Sequence, residues 1–200
     1  MRKMLVLFAI LLCTLVGGVV HAQVEEIPAD IFQWVQSSSR TDYYFNKEQI
    51  CFYKDVRGQV DTNRLICPVL KIYDDLMKND VISKRRWNGK SLEGFGDLAG
   101  VAEYLEFNIK ENTVRIKQVD YLDSTFTTIE ENKPNQVVKL AELSPKSLDA
   151  KFYNAILDYG QRHQLMLAER VNSKLDENVK AKILASQEEY MATHKKEETK

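Results

Sequence analysis

The chain has few residues of the kinds that usually act as nucleophiles, general bases or metal ligands. It contains three histidines and three cysteines in 200 residues. His163 and His194 both lie near the C-terminus, outside the segments that alternate like strands, and no Cys/His cluster has metal-ligand spacing. A Cys–His or Ser–His nucleophile is therefore not expected. The sequence predicts a protein with no catalytic residues, no metal site and no cofactor.

One enzymatic alternative stays open, because some hydrolases use carboxylates alone. The chain holds 29 aspartates and glutamates, and its visible adjacent pairs are Asp74-Asp75 and Glu130-Glu131. Such pairs are more typical of solvated turns at strand ends. A hydrolase would need two carboxylates that face each other across a concave surface.

The chain also lacks an excess of positive charge. Its 28 lysines and arginines are balanced by its acidic residues, which leaves a formal net charge of −1. A protein that binds nucleic acid through the phosphate backbone needs a basic surface. The charge balance therefore excludes nucleic acid as a partner.

Long apolar runs are absent except at the N-terminus. Arg2 and Lys3 precede an apolar run over residues 4–16, and small residues follow before Gln23. This order predicts a secretory signal peptide over residues 1–22, with an uncleaved membrane anchor as the alternative. No later segment is apolar over the length that a transmembrane helix needs. The mature protein is therefore predicted to be exported, either periplasmic or secreted.

The clearest pattern in the chain is the alternation of apolar and polar residues over 102–132. A period of two is typical of strands with one buried face, and it predicts three successive antiparallel strands. A turn at Glu111-Asn112 would place Phe107 opposite Ile116 on that face. The apolar phase slips after Lys117-Gln118, which indicates a bulge or a sharp twist.

The segments before this hairpin suggest further strands. Residues 43–45 favour strand, and residues 31–35 suit either a helix or a strand. Residues 69–73 favour strand, with a helix over residues 68–77 as the alternative. Pro68 cannot donate to a ladder, so it predicts an edge strand or a bulge. The fold class expected is α+β, with an antiparallel sheet of about five or six strands.

Two cysteines outside the signal segment flank a polar loop. Cys51 and Cys67 lie on either side of residues 55–63, and a hairpin centred near Gln59 would place them opposite each other. In an exported protein this arrangement favours a disulfide. It would close a loop of about 17 residues and stabilise the fold by about 3 kcal/mol. The alternative is a pair of buried free thiols.

A C-terminal helix is predicted to cover the sheet. Ser144 suits an N-cap and Pro145 suits the first helical position. Apolar residues then follow at helical spacing as far as Tyr159, and Gly160 either ends or kinks the helix. Residues 23–160 are therefore predicted to form the sheet-plus-helix domain.

Residues 161–200 are predicted to form a charged helical extension with a frayed end. Within 164–196, apolar residues recur every four positions, a spacing that fits neither a sustained heptad nor a broad core face. Three interpretations compete: a protruding helix that pairs with itself or a partner, a helix lying along the domain, and a tail without order beyond about residue 185. The recurring residues are Leu167, Val171, Leu175, Val179 and Ile183.

The most unusual segment is 83–100, which holds four of the six glycines outside the signal segment. This density predicts a long irregular loop, and such loops often carry function. A basic cluster beside an aromatic side chain suits an anionic glycan or a lipid head group, through charge and stacking. The alternative is a solvated basic turn with the aromatic ring packed on the sheet. The candidate binding residues are Lys84, Arg85, Arg86, Trp87 and Lys90.

The order of aromatic segments resembles that of the bacterial surface-adhesin protein E group. The resemblance implies a small envelope protein with an antiparallel sheet and a C-terminal helix that binds host matrix proteins. The chain departs from that group in having no lipidation cysteine after its signal and no cysteine in the helix from Ser144. The resemblance covers about residues 31–159 and rests on Trp34-Val35, Tyr43-Tyr44-Phe45, residues 69–73, the hairpin from Tyr104 to Tyr121 and Phe152-Tyr153.

Taken together, these features predict an exported, non-catalytic binding or structural protein of the bacterial cell envelope. Its partner would be an anionic glycan, a lipid head group or another envelope protein. The alternative is a scaffold protein that self-associates or binds a partner through residues 164–196.

Overall fold

The computed structural model describes residues 26–195. The predicted signal peptide over residues 1–22 and the last five residues of the predicted tail lie outside the described residues. The strands are β1 (Phe32–Ser37), β2 (Thr41–Asn46), β3 (Cys51–Lys54), β4 (Val60–Tyr73), β5 (Leu98–Asn108), β6 (Thr113–Asp123), β7 (Thr128–Asn132) and β8 (Gln136–Lys139). The helices are α1 (Asp75–Trp87), α2 (Leu148–Arg162), α3 (Gln164–Val171) and α4 (Glu177–Lys195).

The predicted α+β fold is confirmed, although the antiparallel sheet over residues 26–195 has eight strands. The order of the main path is β1-β2-β4-β5-β6-β7, and β3 and β8 pair with β4 and β6. The short strands β3 and β8 have four residues each, too few to show a clear alternation in the sequence. This explains why the predicted number was smaller.

Strand β4 is the centre of the sheet, and it explains the position of Pro68. Over its 14 residues it pairs with β5 on one side, and with β3 and then β2 on the other. The pairing with β3 ends at Ile66 and the pairing with β2 begins at Val69. Pro68 therefore lies where one partner strand gives way to the next. The predicted edge or bulge at Pro68 is wrong, because this gap tolerates a residue without an N–H.

The β5–β6 hairpin is confirmed, but its register differs from the predicted one. Phe107 lies opposite Val114, and Leu105 lies opposite Ile116. The turn is longer than two residues and uses Asn112 at a φ of 53°. Asparagine tolerates this left-handed conformation, whereas a two-residue turn would have required it of Glu111 as well. The pairing skips Lys117, so the slip in the apolar phase is indeed a bulge.

Helix α2 covers the inner face of the sheet. Its Phe152 and Ile156 are completely buried, and the ring of Tyr159 meets Phe45 edge to face at a centroid distance of 5.0 Å. The helix begins three residues later than predicted, because Ser147 is the N-cap and accepts a hydrogen bond from the Ala150 N–H at 3.2 Å. Ser144, the predicted cap, instead accepts a backbone hydrogen bond that closes the preceding turn.

The predicted second long helix is two helices that pack on the domain. Helix α3 follows α2 after the single residue His163, and α4 begins after a turn at residues 172–176. Leu167, Leu175 and Ile183 are buried in the same core as α2. Of the three interpretations of this segment, the docked one agrees with the structure. Within residues 26–195, no helix is long and apolar enough to cross a membrane.

This packing leaves little exposed apolar surface on the five recurring residues, so little is available for self-association. Three of the five are in the core, and among the five only Val179 is substantially exposed, at 41%. Lys54 donates from Nζ to the Val171 carbonyl at 2.7 Å, and Asn172 donates to the Gly58 carbonyl at 3.2 Å. These contacts hold the end of α3 against the β3–β4 hairpin.

Cys51 and Cys67 are free thiols, so the predicted disulfide is wrong. A register shift between Phe52 and Tyr53 places Cys51 opposite Ile66. Neighbouring residues of a strand point to opposite faces, so Cys51 and Cys67 leave the sheet on different sides. Burial raises the pKa of the Cys67 thiol well above its usual range, and it raises the pKa of Cys51 as well.

Selective alkylation should therefore distinguish the two cysteines. In native buffer, iodoacetamide should modify Cys51 faster than Cys67, because Cys67 is completely buried and only a thiolate reacts. In denaturant without reductant, both should be modified to completion. Peptide mass mapping reads each site separately, and a cross-linked Cys51–Cys67 peptide would contradict the structure.

Candidate functional site

The predicted binding segment begins as a helix. Asp74 is the N-cap of α1, and its side chain accepts a hydrogen bond from the Met77 N–H at 2.7 Å. The basic residues predicted to open a loop form the last turn of α1, where cations interact favourably with the helix dipole. The irregular part starts at Asn88, so the prediction of a loop from residue 83 onward is wrong. Residues 83–87 were predicted as loop because the cap at Asp74, which starts the helix, was not recognised.

Arg85 is the structural anchor of this region. It is only 5% exposed, and it donates to both carboxylate oxygens of Glu130 on β7, at 3.0 and 2.6 Å. It also donates to the Ser91 carbonyl at 3.0 and 2.8 Å, and its guanidinium lies 3.7 Å from the centroid of the Phe95 ring. The hydrogen bonds from Arg85 are the main reason why the pKa of Glu130 falls to about 2. Arg85 therefore joins α1, the following loop and β7, and its guanidinium is already occupied.

The other four predicted residues lie on the surface, within five positions of this anchor in the sequence. Trp87 is 90% exposed, so the alternative in which its ring packs on the sheet is wrong. Lys84, Arg86 and Lys90 are exposed as well, and none of the three forms an ion pair with a described carboxylate. We call Lys84, Arg86, Trp87 and Lys90 the basic patch. The structure thus separates the predicted cluster into one buried anchor and four exposed groups.

The inner face of the sheet holds a buried ion pair that the sequence did not indicate. Lys71 on β4 donates to Glu103 on β5 at 2.8 Å. The other carboxylate oxygen of Glu103 has no hydrogen-bond partner among the described residues. Burial raises the pKa of the nearby Tyr73 and Tyr153 hydroxyls. Lys71 and Glu103 are 32 residues apart in the chain, and only the β4–β5 pairing brings them together.

The carboxylate pairs considered for hydrolysis have other roles. Asp74 caps α1, and the Asp75 side chain is 92% exposed. Glu130 binds Arg85, and Glu131 pairs with Lys133 at 2.6 Å. Neither pair therefore faces a shared concave surface. Among residues 26–195, no group of three or more His, Cys, Asp or Glu side chains is arranged to hold a metal ion.

The two histidines in the described part of the chain are also engaged. His163 stacks on Tyr159 with centroids 4.2 Å apart, and His194 stacks on Tyr190 at 3.9 Å. Each ring lies one helical turn from its partner, which is the ordinary spacing for side-chain contacts along a helix. Both histidines therefore lie in the helical part of the fold, away from the strands.

Comparison with known proteins adds a weak structural resemblance. No protein-family profile and no curated protein sequence matches the chain. Among solved structures, the chain is similar to protein E from non-typeable Haemophilus influenzae, with 13% sequence identity and a TM-score of 0.38. The match covers 83% of this chain and 92% of that one. The resemblance is too distant to carry a functional argument, which therefore rests on the residues described above.

Proposed function

We propose that the protein is an exported, non-catalytic protein of the bacterial cell envelope that binds an anionic glycan through the basic patch. The observation that carries this proposal is the 90% exposure of Trp87, close in sequence to three exposed cations that form no ion pair with a carboxylate of residues 26–195. An exposed indole can stack on a sugar ring, and unpaired cations can neutralise its acidic substituents. Export is supported by the signal-like residues 1–22.

The position of Arg85 supports a ligand-binding role for the basic patch over the alternative of a solvated basic turn. Arg85 fixes the last turn of α1 to β7 and to the Ser91 carbonyl, so Lys84, Arg86 and Trp87 extend from a held backbone. A ligand that binds to a preorganised surface loses less free energy to the ordering of side chains and loops. An anionic lipid head group would offer the same charge chemistry, so the test below includes it.

A triple substitution tests the basic patch. Lys84→Ala, Arg86→Ala and Lys90→Ala together should weaken binding of heparin, used as the probe, by about tenfold or more, because each exposed pair contributes about 0.5 kcal/mol or more. In a Trp34→Phe background, the remaining Trp87 should report binding by a change in fluorescence, since the chain has two tryptophans. Titration of heparin at constant ionic strength gives both quantities.

The matched control removes the same charge elsewhere. Lys146, Lys151 and Lys182 are also exposed, and replacing all three with alanine should leave heparin binding nearly unchanged. An equal loss in both triple variants would show general charge attraction and contradict the proposal. No binding by the unmodified chain would also contradict it. Binding to phosphatidylglycerol vesicles but not to heparin would assign the patch to lipid.

A further inference from the structure

The face of the sheet opposite α2 contains a cavity of about 310 Å³. It lies over strands β4, β5 and β6, and the segment before β1 and the β6–β7 turn form its sides. Its volume is at the lower end of the range for small-molecule sites, about 300–1,000 Å³. Its apolar lining includes Phe32, Pro68, Leu70, Ala102, Leu122 and Phe126.

Two buried polar side chains in the lining have unused hydrogen-bonding capacity. Asn46 is 6% exposed, and its Oδ1 accepts from the N–H groups of Glu48 and Gln49 at 3.0 and 2.8 Å. Its Nδ2 amide, in contrast, donates to no described residue. Asp120 is 7% exposed and accepts only from Nε2 of Gln118, at 2.9 and 3.0 Å. The Asn46 amide therefore keeps a donor for a ligand, and the Asp120 oxygens keep lone pairs for one.

Asp120 shares its hydrogen-bond donor with a second carboxylate. Gln118 Nε2 also donates to Glu131 at 3.0 Å, so one neutral amide is shared between two carboxylates. Lys133 pairs with Glu131 at 2.6 Å and also interacts electrostatically with Asp120, but no described cation lies within ion-pair distance of the Asp120 carboxylate. The cost of burying a carboxylate whose contacts are one neutral amide and a lysine beyond ion-pair distance is incompletely compensated. A positively charged group in the cavity would offset this cost.

Phe126, which lines the cavity, has a strained backbone conformation. Phe126 has a φ of 60°, a conformation that is unusual for a bulky residue. The turn is held by Asp123, whose carboxylate accepts from the N–H groups of Thr125 and Thr127 at 2.9 Å each. Backbone strain of this kind often occurs at ligand sites. Here it accompanies a ring that lines the cavity.

We propose that this cavity binds a small apolar molecule that carries an ammonium group and a hydrogen-bond acceptor. The ammonium would pair with Asp120, the acceptor would receive the free N–H of Asn46, and the apolar body would contact Leu122 and Phe126. This site lies apart from the basic patch and has the opposite charge preference. The cavity proposal can therefore be tested independently of the proposed glycan binding.

L-phenylalanine amide is a suitable probe, because it has an ammonium group, an amide carbonyl and an aromatic ring. At millimolar concentration it should shift the backbone NMR signals of β5, β6 and the β6–β7 turn. N-acetyl-L-phenylalanine has the same ring but a negative charge in place of the positive one, and it should not bind. Binding of both compounds with similar affinity would overturn the proposal, as would the absence of shifts in these elements.

Two variants locate the interaction. Asp120→Asn keeps the shape but removes the charge, and Ala102→Leu fills the cavity; each should weaken binding of L-phenylalanine amide at least tenfold. Asp149→Asn, which changes an exposed carboxylate elsewhere, should leave binding unchanged. Circular dichroism confirms that each variant is folded. Unchanged affinity in both cavity variants would overturn the proposal, even if one of them were poorly folded.

Discussion

Replacing Gly100 with alanine should lower the free energy of unfolding by about 3 kcal/mol or more, the upper end of the usual overpacking range. Gly100 lies on β5 opposite Ile72 of β4, next to a bulge. A Cβ at this position would overlap the carbonyl oxygen of Lys71 and lie 3.1 Å from the Ile72 Cα. These are backbone atoms of the central strand, so relief of the clash requires the β4–β5 ladder to open. For a domain of this size, the loss corresponds to a midpoint lower by about 6–12 °C.

Gly96 provides the matched control, because it lies four residues away. An added Cβ there meets no atom within 4 Å. Gly96→Ala should therefore change the free energy of unfolding by no more than about 0.5–1 kcal/mol. Alanine also reduces the conformational entropy of the unfolded chain, which acts in the stabilising direction. Thermal and urea unfolding followed by circular dichroism give both values. Equal midpoints for the two variants would contradict the close approach of β4 to Gly100.

Removing the charge of Glu130 should also lower the free energy of unfolding substantially. Glu130→Gln leaves the guanidinium of Arg85 buried without its carboxylate partner. Because the Glu130 side chain is 31% exposed, we expect a cost of about 2–3 kcal/mol, at or below the lower end of the range for a fully buried pair. Arg85→Met removes the charge from the other side. In a double-mutant cycle, the combined variant should lose clearly less than the sum of the single losses, because the two groups interact directly. The control is Glu142→Gln, which breaks the exposed Lys139–Glu142 pair and should cost less than about 1 kcal/mol.

The pH dependence of stability checks the same pair. Arg85 lowers the pKa of Glu130 from its ordinary 4.5 to about 2. A carboxylate with a lowered pKa contributes stability that is fully present above its unfolded pKa and is lost as the pH falls through its folded pKa. The difference in unfolding free energy between the unmodified chain and Glu130→Gln should therefore decrease between about pH 4.5 and pH 2. A difference that is constant over this range would contradict the role of Glu130 as the ionised partner.

The strands with strict alternation could be predicted from the sequence, but their register could not. Leu105 and Phe107 are completely buried, as a period of two requires. The register depends on the turn, and the left-handed Asn112 lengthened it beyond the two residues assumed. The same limit applied to Cys51 and Cys67. Their symmetric spacing around a loop suggested a pair, but a register shift after Phe52 changed which residue Cys51 faces.

The candidate sites were predictable only in part, because long-range pairing decides them. Consecutive basic residues gave no reason to separate Arg85 from its neighbours until α1 was recognised as a helix. Its partner Glu130 lies 45 residues further along the chain. Similarly, Asn46, Asp120 and Phe126 belong to distant segments, and only the sheet brings them around one cavity. The N-cap Asp74, followed by helix-favouring residues, was the one local signal that would have indicated α1.

The burial of Leu167, Leu175 and Ile183 also determines when the chain can fold. All eight strands precede these residues, and the inner face of the sheet includes Phe52 and Leu65 from the same core. During synthesis, part of this apolar face therefore stays uncovered until Ile183 has followed the strands. Domains generally fold as units, and exposed apolar surface makes incomplete chains prone to aggregate. Completion of this core accordingly requires the chain as far as α4, and we expect truncation before Ile183 to leave apolar surface of the sheet exposed.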